Sequence, residues 1–73
     1  MNVYQRLKDL REDADKSQEE IAKIIGTSQS YYAQYETGKR VIPFERMIAL
    51  ARYYNVSLDY LAGLIDTPKK LFE

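Results

Sequence analysis

Residues 27–40 have the types and order of side chains needed to bind an anion. Glu36 is the only acid in this stretch, and the cations Lys39 and Arg40 follow it. A surface that carries cations and exposes no acid attracts phosphate groups. If Glu36 is buried, the expected chemistry is recognition of a polyanion. The alternative is an ordinary solvated surface, since two adjacent cations are common on proteins.

Catalytic and metal chemistry have little support in the sequence. It contains no cysteine and no histidine, which excludes thiolate zinc sites and removes the usual general base near neutral pH. Glu12, Asp13 and Asp15 could form a metal-binding cluster, but Arg11 and Lys16 flank them, which favours a solvated run of charges. We therefore predict no enzyme activity, no cofactor and no metal site.

Composition sets broad limits on the chain. With 73 residues of which 45% are apolar, it is expected to form one small domain. No apolar run approaches the roughly 20 residues of a membrane helix, and the N-terminus lacks a signal-peptide core. A cysteine-free chain fits a reducing cytoplasm without requiring one. Eleven cations balance eleven acids, so non-specific binding to a polyanion should be weak.

Two short helices joined by a tight turn are predicted over residues 17–37. Ser17 and Glu20 have the spacing of a capping box, and Gly26 suits the left-handed residue that ends a helix. Ser28 is a good N-cap for the next helix, which is expected to stop at Gly38. This order of elements is typical of a helix-turn-helix, whose second helix enters the major groove of DNA.

Apolar residues recur at helical spacing in three further segments. A first helix is predicted from about Val3 to Ala14, a fourth from Pro43 to Tyr54, and a short fifth after Ser57. The residues expected to face the core are Val3, Leu7, Leu10 and Ala14; Ile21, Ala22, Ile24 and Ile25; Phe44, Met47, Ile48, Ala51 and Tyr54; and Leu58, Leu61 and Leu64. No segment alternates as a strand does, so the predicted fold is all-α, a compact five-helix bundle.

With these segments in order, the chain resembles the lambda-repressor-like (Cro/cI-type, XRE) helix-turn-helix domains. The resemblance covers about residues 3–65. It rests on RLKDLRED, on SQEEIAKIIGTSQSYYAQYETGKR and on IPFERMIALARYYNVSLDYLAGL. It implies a DNA-binding domain at 1–66, with the helix-turn-helix at 17–37 and a tail or linker start at 67–73. The implied partner is the major groove of double-stranded DNA, and the implied location is a cytoplasm of prokaryotic or phage type, in association with the nucleoid.

The resemblance also assigns individual contacts. Base edges would be met by Gln29, Ser30, Ala33, Gln34 and Tyr31. Phosphates would be met by Gln18, Ser28, Thr37, Lys39 and Arg40. Gln18 would also reach the first side chain of the third helix. Glutamine suits base reading because its amide both donates and accepts, matching adenine N6 and N7. The alternative for Gln29, Ser30 and Gln34 is a solvated polar face.

Arg11 and Glu36 would form a structural ion pair in such a domain. The chain departs from the family pattern at Tyr31, where a small residue is frequent, and at Ala33, which offers only a methyl group. We therefore expect DNA shape to carry part of any specificity.

The seven tyrosines allow a different interpretation, a stacking surface for single strands. We instead expect Tyr4, Tyr32, Tyr35 and Tyr54 to pack in the core or at its rim. In the pair Tyr31–Tyr32 one ring should point inward and the other outward, because adjacent helical residues are about 100° apart.

Two functional hypotheses remain. The first is a sequence-specific transcriptional regulator, acting as a homodimer on a palindromic operator, as a repressor by preference. Leu58, Leu61, Leu64 and Ile65 would partly close the core and partly form the dimer interface. The second is a protein-interaction module on the same fold, such as an antirepressor or an antitoxin-like partner. Net neutrality, the many aromatic residues and the apolar pair Leu71–Phe72 favour the second.

Overall fold

The computed structural model describes residues 2–71, and within them the chain forms five α-helices and no strand. They are α1 (Val3–Asp13), α2 (Gln18–Ile25), α3 (Gln29–Thr37), α4 (Phe44–Tyr54) and α5 (Leu58–Leu61). The all-α, five-helix prediction is confirmed.

Local signals fix both ends of α2. The hydroxyl of Ser17 accepts the N–H of Glu20 at 3.1 Å, and the carboxylate of Glu20 accepts the N–H of Ser17 at 3.0 Å. Gly26 ends the helix with φ 79°, in a region that glycine enters without the steric cost of a Cβ. The turn from Gly26 to Ser28 therefore has a defined geometry, which sets the angle at which α3 leaves α2.

The core lies where all five helices meet. Its buried apolar residues are Leu7, Ile21, Ala22, Ile25, Tyr32, Tyr35, Leu50, Ala51, Val56 and Leu61. α3 packs against both α1 and α2, and α4 packs against α2 and α5. The two buried tyrosines of α3 lie edge to face, with ring centroids 6.4 Å apart. α3 is thereby anchored along one side while its other side stays open.

Three residues predicted to face the core lie nearer the surface. Ile24 is 44% exposed, Phe44 is 67% exposed and Leu64 is 76% exposed. In α2 the inward direction is set by Ile21 and Ile25, and Ile24 is rotated about 100° away from Ile25. Phe44 is the first residue of α4. The buried residues of that helix begin only at Leu50, so Phe44 lies beyond the edge of the core. Tyr4, expected in the core or at its rim, is 39% exposed and packs beside Gly38, which places it at the rim.

The predicted boundaries hold for α1 to α4 within a residue, but not for α5. α1 is capped by Ala14, and Pro43 is the N-cap of α4 rather than its first residue. α5 ends at Leu61 because Gly63 takes φ 83°, which interrupts the helical repeat. Leu64 therefore lies beyond the helix that the spacing predicts to contain it.

The residues after α5 return to the body of the domain. We call residues 66–71 the C-terminal strap. The carbonyl of Lys69 accepts the N–H of Ser57 at 2.7 Å, and the side chain of Asn55 accepts the N–H of Leu71 at 3.0 Å. The strap thus crosses the turn between α4 and α5. Residue 72, which the sequence pairs with Leu71 in an apolar tail, lies outside the described residues. Along residues 2–71, no helix has the length and apolarity that crossing a membrane requires.

Candidate nucleic-acid interface

α3 presents a polar face that the rest of the domain leaves uncovered. Tyr32 and Tyr35 point into the core, and the opposite side consists of Gln29, Ser30, Ala33, Gln34 and Thr37. We call these five residues the outer face of α3. Gln29, Ser30 and Thr37 are exposed, and Ala33 and Gln34 are half-buried. Four of the five residues predicted to meet base edges, those at positions 29, 30, 33 and 34, therefore share one surface, and Tyr31 lies outside it.

Some polar groups of the outer face already have partners on their own helix. The amide of Gln34 donates to the carbonyl of Ser30 at 3.3 Å, and the hydroxyl of Thr37 donates to the carbonyl of Gln34 at 3.2 Å. The hydroxyl of Ser28 accepts the N–H of Tyr31 at 3.1 Å as the N-cap. Such exposed bonds are exchangeable, because each group keeps capacity for a further partner.

The predicted pairing of Arg11 with Glu36 is present in the structure. Arg11 Nε lies 2.7 Å from one carboxylate oxygen and its terminal nitrogen 3.2 Å from the other, a two-point contact. Arg11 also donates to the carbonyl of Lys16 at 2.9 Å. The Glu36 side chain is only 4% exposed, so the one acid of residues 27–40 contributes little negative charge to the outer face.

Gln18 adds a third hydrogen bond to the carboxylate of Glu36. Its amide donates to Glu36 at 3.2 Å, so it contacts the last turn of α3. That it also reaches the first side chain of that helix stays a prediction. Burial acts to raise the pKa of Glu36, but the hydrogen bond from Arg11, the nearby hydroxyl of Tyr32, the amide of Gln18 and the positive charge of Arg11 together outweigh burial and hold that pKa below its ordinary value. Glu36 is therefore ionised at neutral pH and its charge is matched inside the domain.

Two exposed cations follow the end of α3. Lys39 and Arg40 lie on the chain just after Gly38, and the backbone N–H of Arg40 donates to the carbonyl of Gln34 at 3.3 Å. The Arg40 guanidinium lies over the ring of Tyr31, 4.1 Å from its centroid. Tyr31 is 46% exposed while Tyr32 is buried, as expected for adjacent rings. Sequence reasoning missed the stack itself, since no regular repeat joins positions 31 and 40.

A second arginine supports the turn of the helix-turn-helix. Arg46, from α4, donates to the carbonyl of Gly26 at 3.0 Å. This carbonyl follows the last turn of α2, where backbone acceptors lack partners within the helix. Sequence reasoning missed the contact, and no local signal marks it, because Arg46 comes from a different helix.

The four residues predicted for the dimer interface differ in how exposed they are. Leu61 is fully buried and closes the core, which corrects its assignment to the dimer interface; Leu58 and Ile65 are half-buried and Leu64 is 76% exposed.

For Glu12, Asp13 and Asp15 the sequence favours a solvated run of charges. In residues 2–71, no cluster of three acidic side chains has the arrangement needed to hold a metal ion.

Comparison with known proteins agrees with this geometry. Residues 7–61 match the model of a family described as helix-turn-helix. The chain is 41% identical over 64 residues to the uncharacterized HTH-type transcriptional regulator YobD of Bacillus subtilis, covering 88% of this chain and 57% of that protein. It is 32% identical over 63 residues to the cryptic phage CTXphi transcriptional repressor RstR of Vibrio cholerae, covering 86% and 56% respectively. The chain thus spans little more than half the length of these relatives.

Solved structures share the fold. A transcriptional regulator from Listeria innocua superposes with a TM-score of 0.83 at 25% identity, over 88% of this chain and 60% of that one. The P22 c2 repressor, crystallised with synthetic operator 9T, superposes with a TM-score of 0.77 at 24% identity, over 84% and 92%. The names of these relatives describe transcriptional regulators and repressors rather than enzymes.

Proposed function

We propose that this chain, which belongs to the helix-turn-helix family of the lambda-repressor-like (XRE) type, binds specific sequences of double-stranded DNA and regulates transcription as a repressor. The observation that carries the proposal is the outer face of α3, which is polar, free of acids and bordered by two exposed cations. Internal pairing of Glu36 with Arg11 supports it, because an exposed carboxylate there would repel phosphate.

The proposed contacts divide by chemistry. Gln29, Ser30, Ala33 and Gln34 would meet base edges in the major groove. Phosphate contacts are proposed for Thr37, at the end of that face, and for residues around it: Gln18, Ser28, Lys39 and Arg40. Gln18 would make its contact while its amide is held by Glu36, since a side-chain amide has more than one hydrogen to donate.

We further propose a homodimer on a palindromic operator, in line with the expectation from the sequence. Leu64, with Leu58 and Ile65 beside it, supplies exposed apolar surface at the end of α5. A twofold axis would place two copies of α3 in successive major grooves about 34 Å apart. The cytoplasm expected for a cysteine-free chain remains the proposed location.

Recovery of bound fragments from sheared genomic DNA, at about 50 and 200 mM salt, tests the proposal. Enrichment of a few palindromic sites that persists at the higher salt is the expected result. Loss of all enrichment at the higher salt would mean that only phosphate attraction had been measured, and would contradict sequence-specific regulation.

Light scattering at tens of micromolar, with and without a recovered site, tests the dimer separately. Leu64→Ser is the informative variant, and Leu71→Ser, which removes a partly exposed leucine of the C-terminal strap, is its matched control. We expect Leu64→Ser alone to shift the protein toward monomer. A wild-type monomer in both conditions would contradict the symmetric operator.

A second candidate function is supported by exposed apolar residues next to the basic exit of α3. Val41 and Phe44 are largely exposed on either side of Pro43, and such surface is often used for protein partners. A protein-interaction module of this kind would form a heteromeric complex and leave no footprint on DNA. The genomic selection described above therefore separates the two functions.

A further inference from the structure

We infer that Tyr31 acts as a platform that holds Arg40 in place for a DNA phosphate, and that it is not itself a reader of bases. The inference rests on the proposed DNA-binding function and assigns a role within it. The observation behind it is the stack of the Arg40 guanidinium on the Tyr31 ring at 4.1 Å from the centroid.

The position of Tyr31 on α3 puts it at the border of the outer face. It follows Ser30 by one residue and is therefore rotated by about 100° from it, away from Gln29 and Ala33. One side of the helix is anchored by the buried rings of Tyr32 and Tyr35, and the backbone N–H of Tyr31 is held by the Ser28 hydroxyl. The backbone that carries the Tyr31 ring is therefore held in place, as is needed for a side chain that positions another.

The stack changes what each partner can do. A ring with a guanidinium over one face keeps only its other face and its edge for a contact with a base. Arg40 gains a defined direction, and its backbone is tied to α3 through the carbonyl of Gln34. Holding a long side chain before binding reduces the conformational entropy that it gives up when it meets a phosphate. Lys39 has no such ring contact among the interactions of the described residues, although it is the adjacent cation.

A double-mutant cycle measured by DNA affinity tests the pairing. Tyr31→Leu should weaken binding about two- to five-fold, the change in an equilibrium constant that corresponds to an exposed cation–π contact. Tyr31→Phe keeps the ring and should bind like the wild type. In an Arg40→Ala background the effect of Tyr31→Leu should vanish, whereas in a Lys39→Ala background it should persist in full. Tyr53→Leu, at a similarly exposed tyrosine of α4, controls for removal of an aromatic ring in general.

Two results of that cycle would overturn the inference. One is a change of base preference at a single operator position in Tyr31→Leu, because that would make Tyr31 a base reader. The other is simple additivity of Tyr31→Leu with Arg40→Ala, because a platform has no purpose without the cation that it holds.

The stack can also be measured in the free protein, which separates this inference from the proposed function. The Arg40 Nε–H proton should show a ring-current shift that survives in Tyr31→Phe and disappears in Tyr31→Leu. If the shift is present and the wild type selects no DNA, the proposed function fails, and the phosphate-positioning role fails with it. If DNA is selected and the shift is absent from the wild type, only the platform is overturned.

Discussion

At the scale of single residues, Glu36 affects both stability and the charge of the outer face. Its carboxylate is almost fully buried and receives hydrogen bonds from Arg11 and Gln18. Those bonds, the nearby hydroxyl of Tyr32 and the positive charge of Arg11 hold its pKa below the ordinary value, so the folded protein binds the carboxylate proton less readily than the unfolded chain does. The stabilisation from Glu36 is therefore complete above the ordinary carboxyl pKa and declines as the pH falls below it.

Glu36→Gln should lower the free energy of unfolding at pH 7 by about 2 kcal/mol, because Arg11 would no longer have a charged partner. It should also flatten the decline of stability from about pH 4 downward, since one carboxylate no longer titrates. Urea unfolding across this pH range measures both effects. Glu19→Gln is the matched control, because Glu19 forms only an exposed pair with Lys23 at 3.8 Å. An unaltered pH profile in Glu36→Gln would refute the linkage.

Substitutions of residues proposed to read bases and of residues proposed to bind phosphate should change DNA binding in different ways. Gln29→Ala or Gln34→Ala should relax preference at one operator position, by roughly 1–3 kcal/mol for each bidentate pair of hydrogen bonds to a base that the substitution removes. Lys39→Ala should weaken all sequences alike and reduce the salt slope by about one unit. Competition binding with single-base operator variants at several salt concentrations separates the two patterns. If neither glutamine variant altered base preference, the assignment of α3 would be wrong.

At the scale of the elements, the two glycines that end α2 and α3 have the same backbone conformation and different surroundings. Gly26 has φ 79° and a Cβ there would meet nothing within 4 Å. Gly38 has φ 82°, and a Cβ there would lie 3.1 Å from the Tyr4 ring. The first glycine is required by conformation alone, and the second also by the close approach of α1.

Gly26→Ala should therefore cost about 1 kcal/mol of stability, the strain of a left-handed alanine, and Gly38→Ala should cost more. In a Tyr4→Ala background the difference between the two variants should disappear. Thermal and urea unfolding of the single and double variants would measure it. Equal costs in the presence of Tyr4 would mean that this ring moves aside freely.

The sequence predicted those features of the helices that depend on neighbouring residues. The capping box at Ser17 and the stop at Gly26 involve groups a few positions apart, so the sequence shows both partners together. The contact of Arg46 with the Gly26 carbonyl joins residues that are distant in the chain, and no periodic pattern marks it. The pairing of Arg11 with Glu36 is also distant, and only the family resemblance predicts it. Exposure of Phe44 was missed because helical spacing gives the direction of a side chain and not where the core ends.

At the scale of the whole molecule, Arg6 joins the first helix to the end of the last. Its guanidinium is buried, lies 3.8 Å from the centre of the Tyr60 ring, and donates to the carbonyls of Tyr60 at 2.8 Å and Ile65 at 3.2 Å. These carbonyls belong to the end of α5 and the turn after it, where intrahelical donors are absent; the Tyr60 carbonyl also accepts the N–H of Gly63 at 3.0 Å, so Arg6 is its second donor. One side chain thus fixes the segment that leads to Leu64 and to the C-terminal strap.

Arg6→Met should therefore destabilise the domain by about 3 kcal/mol, because it leaves two carbonyls without their charged donor. Such a change is a large part of the stability of so small a domain, and it should appear as a lower urea midpoint. Asp66→Asn is the control, since Asp66 lies 3.6 Å from Arg6 but is 86% exposed, and an exposed ion pair contributes little. Arg6→Lys keeps the positive charge but loses the planar guanidinium with its several N–H donors, so its loss of stability should lie between those of Asp66→Asn and Arg6→Met. If Asp66→Asn were as damaging as Arg6→Met, the ion pair rather than the carbonyl contacts would hold the end of α5.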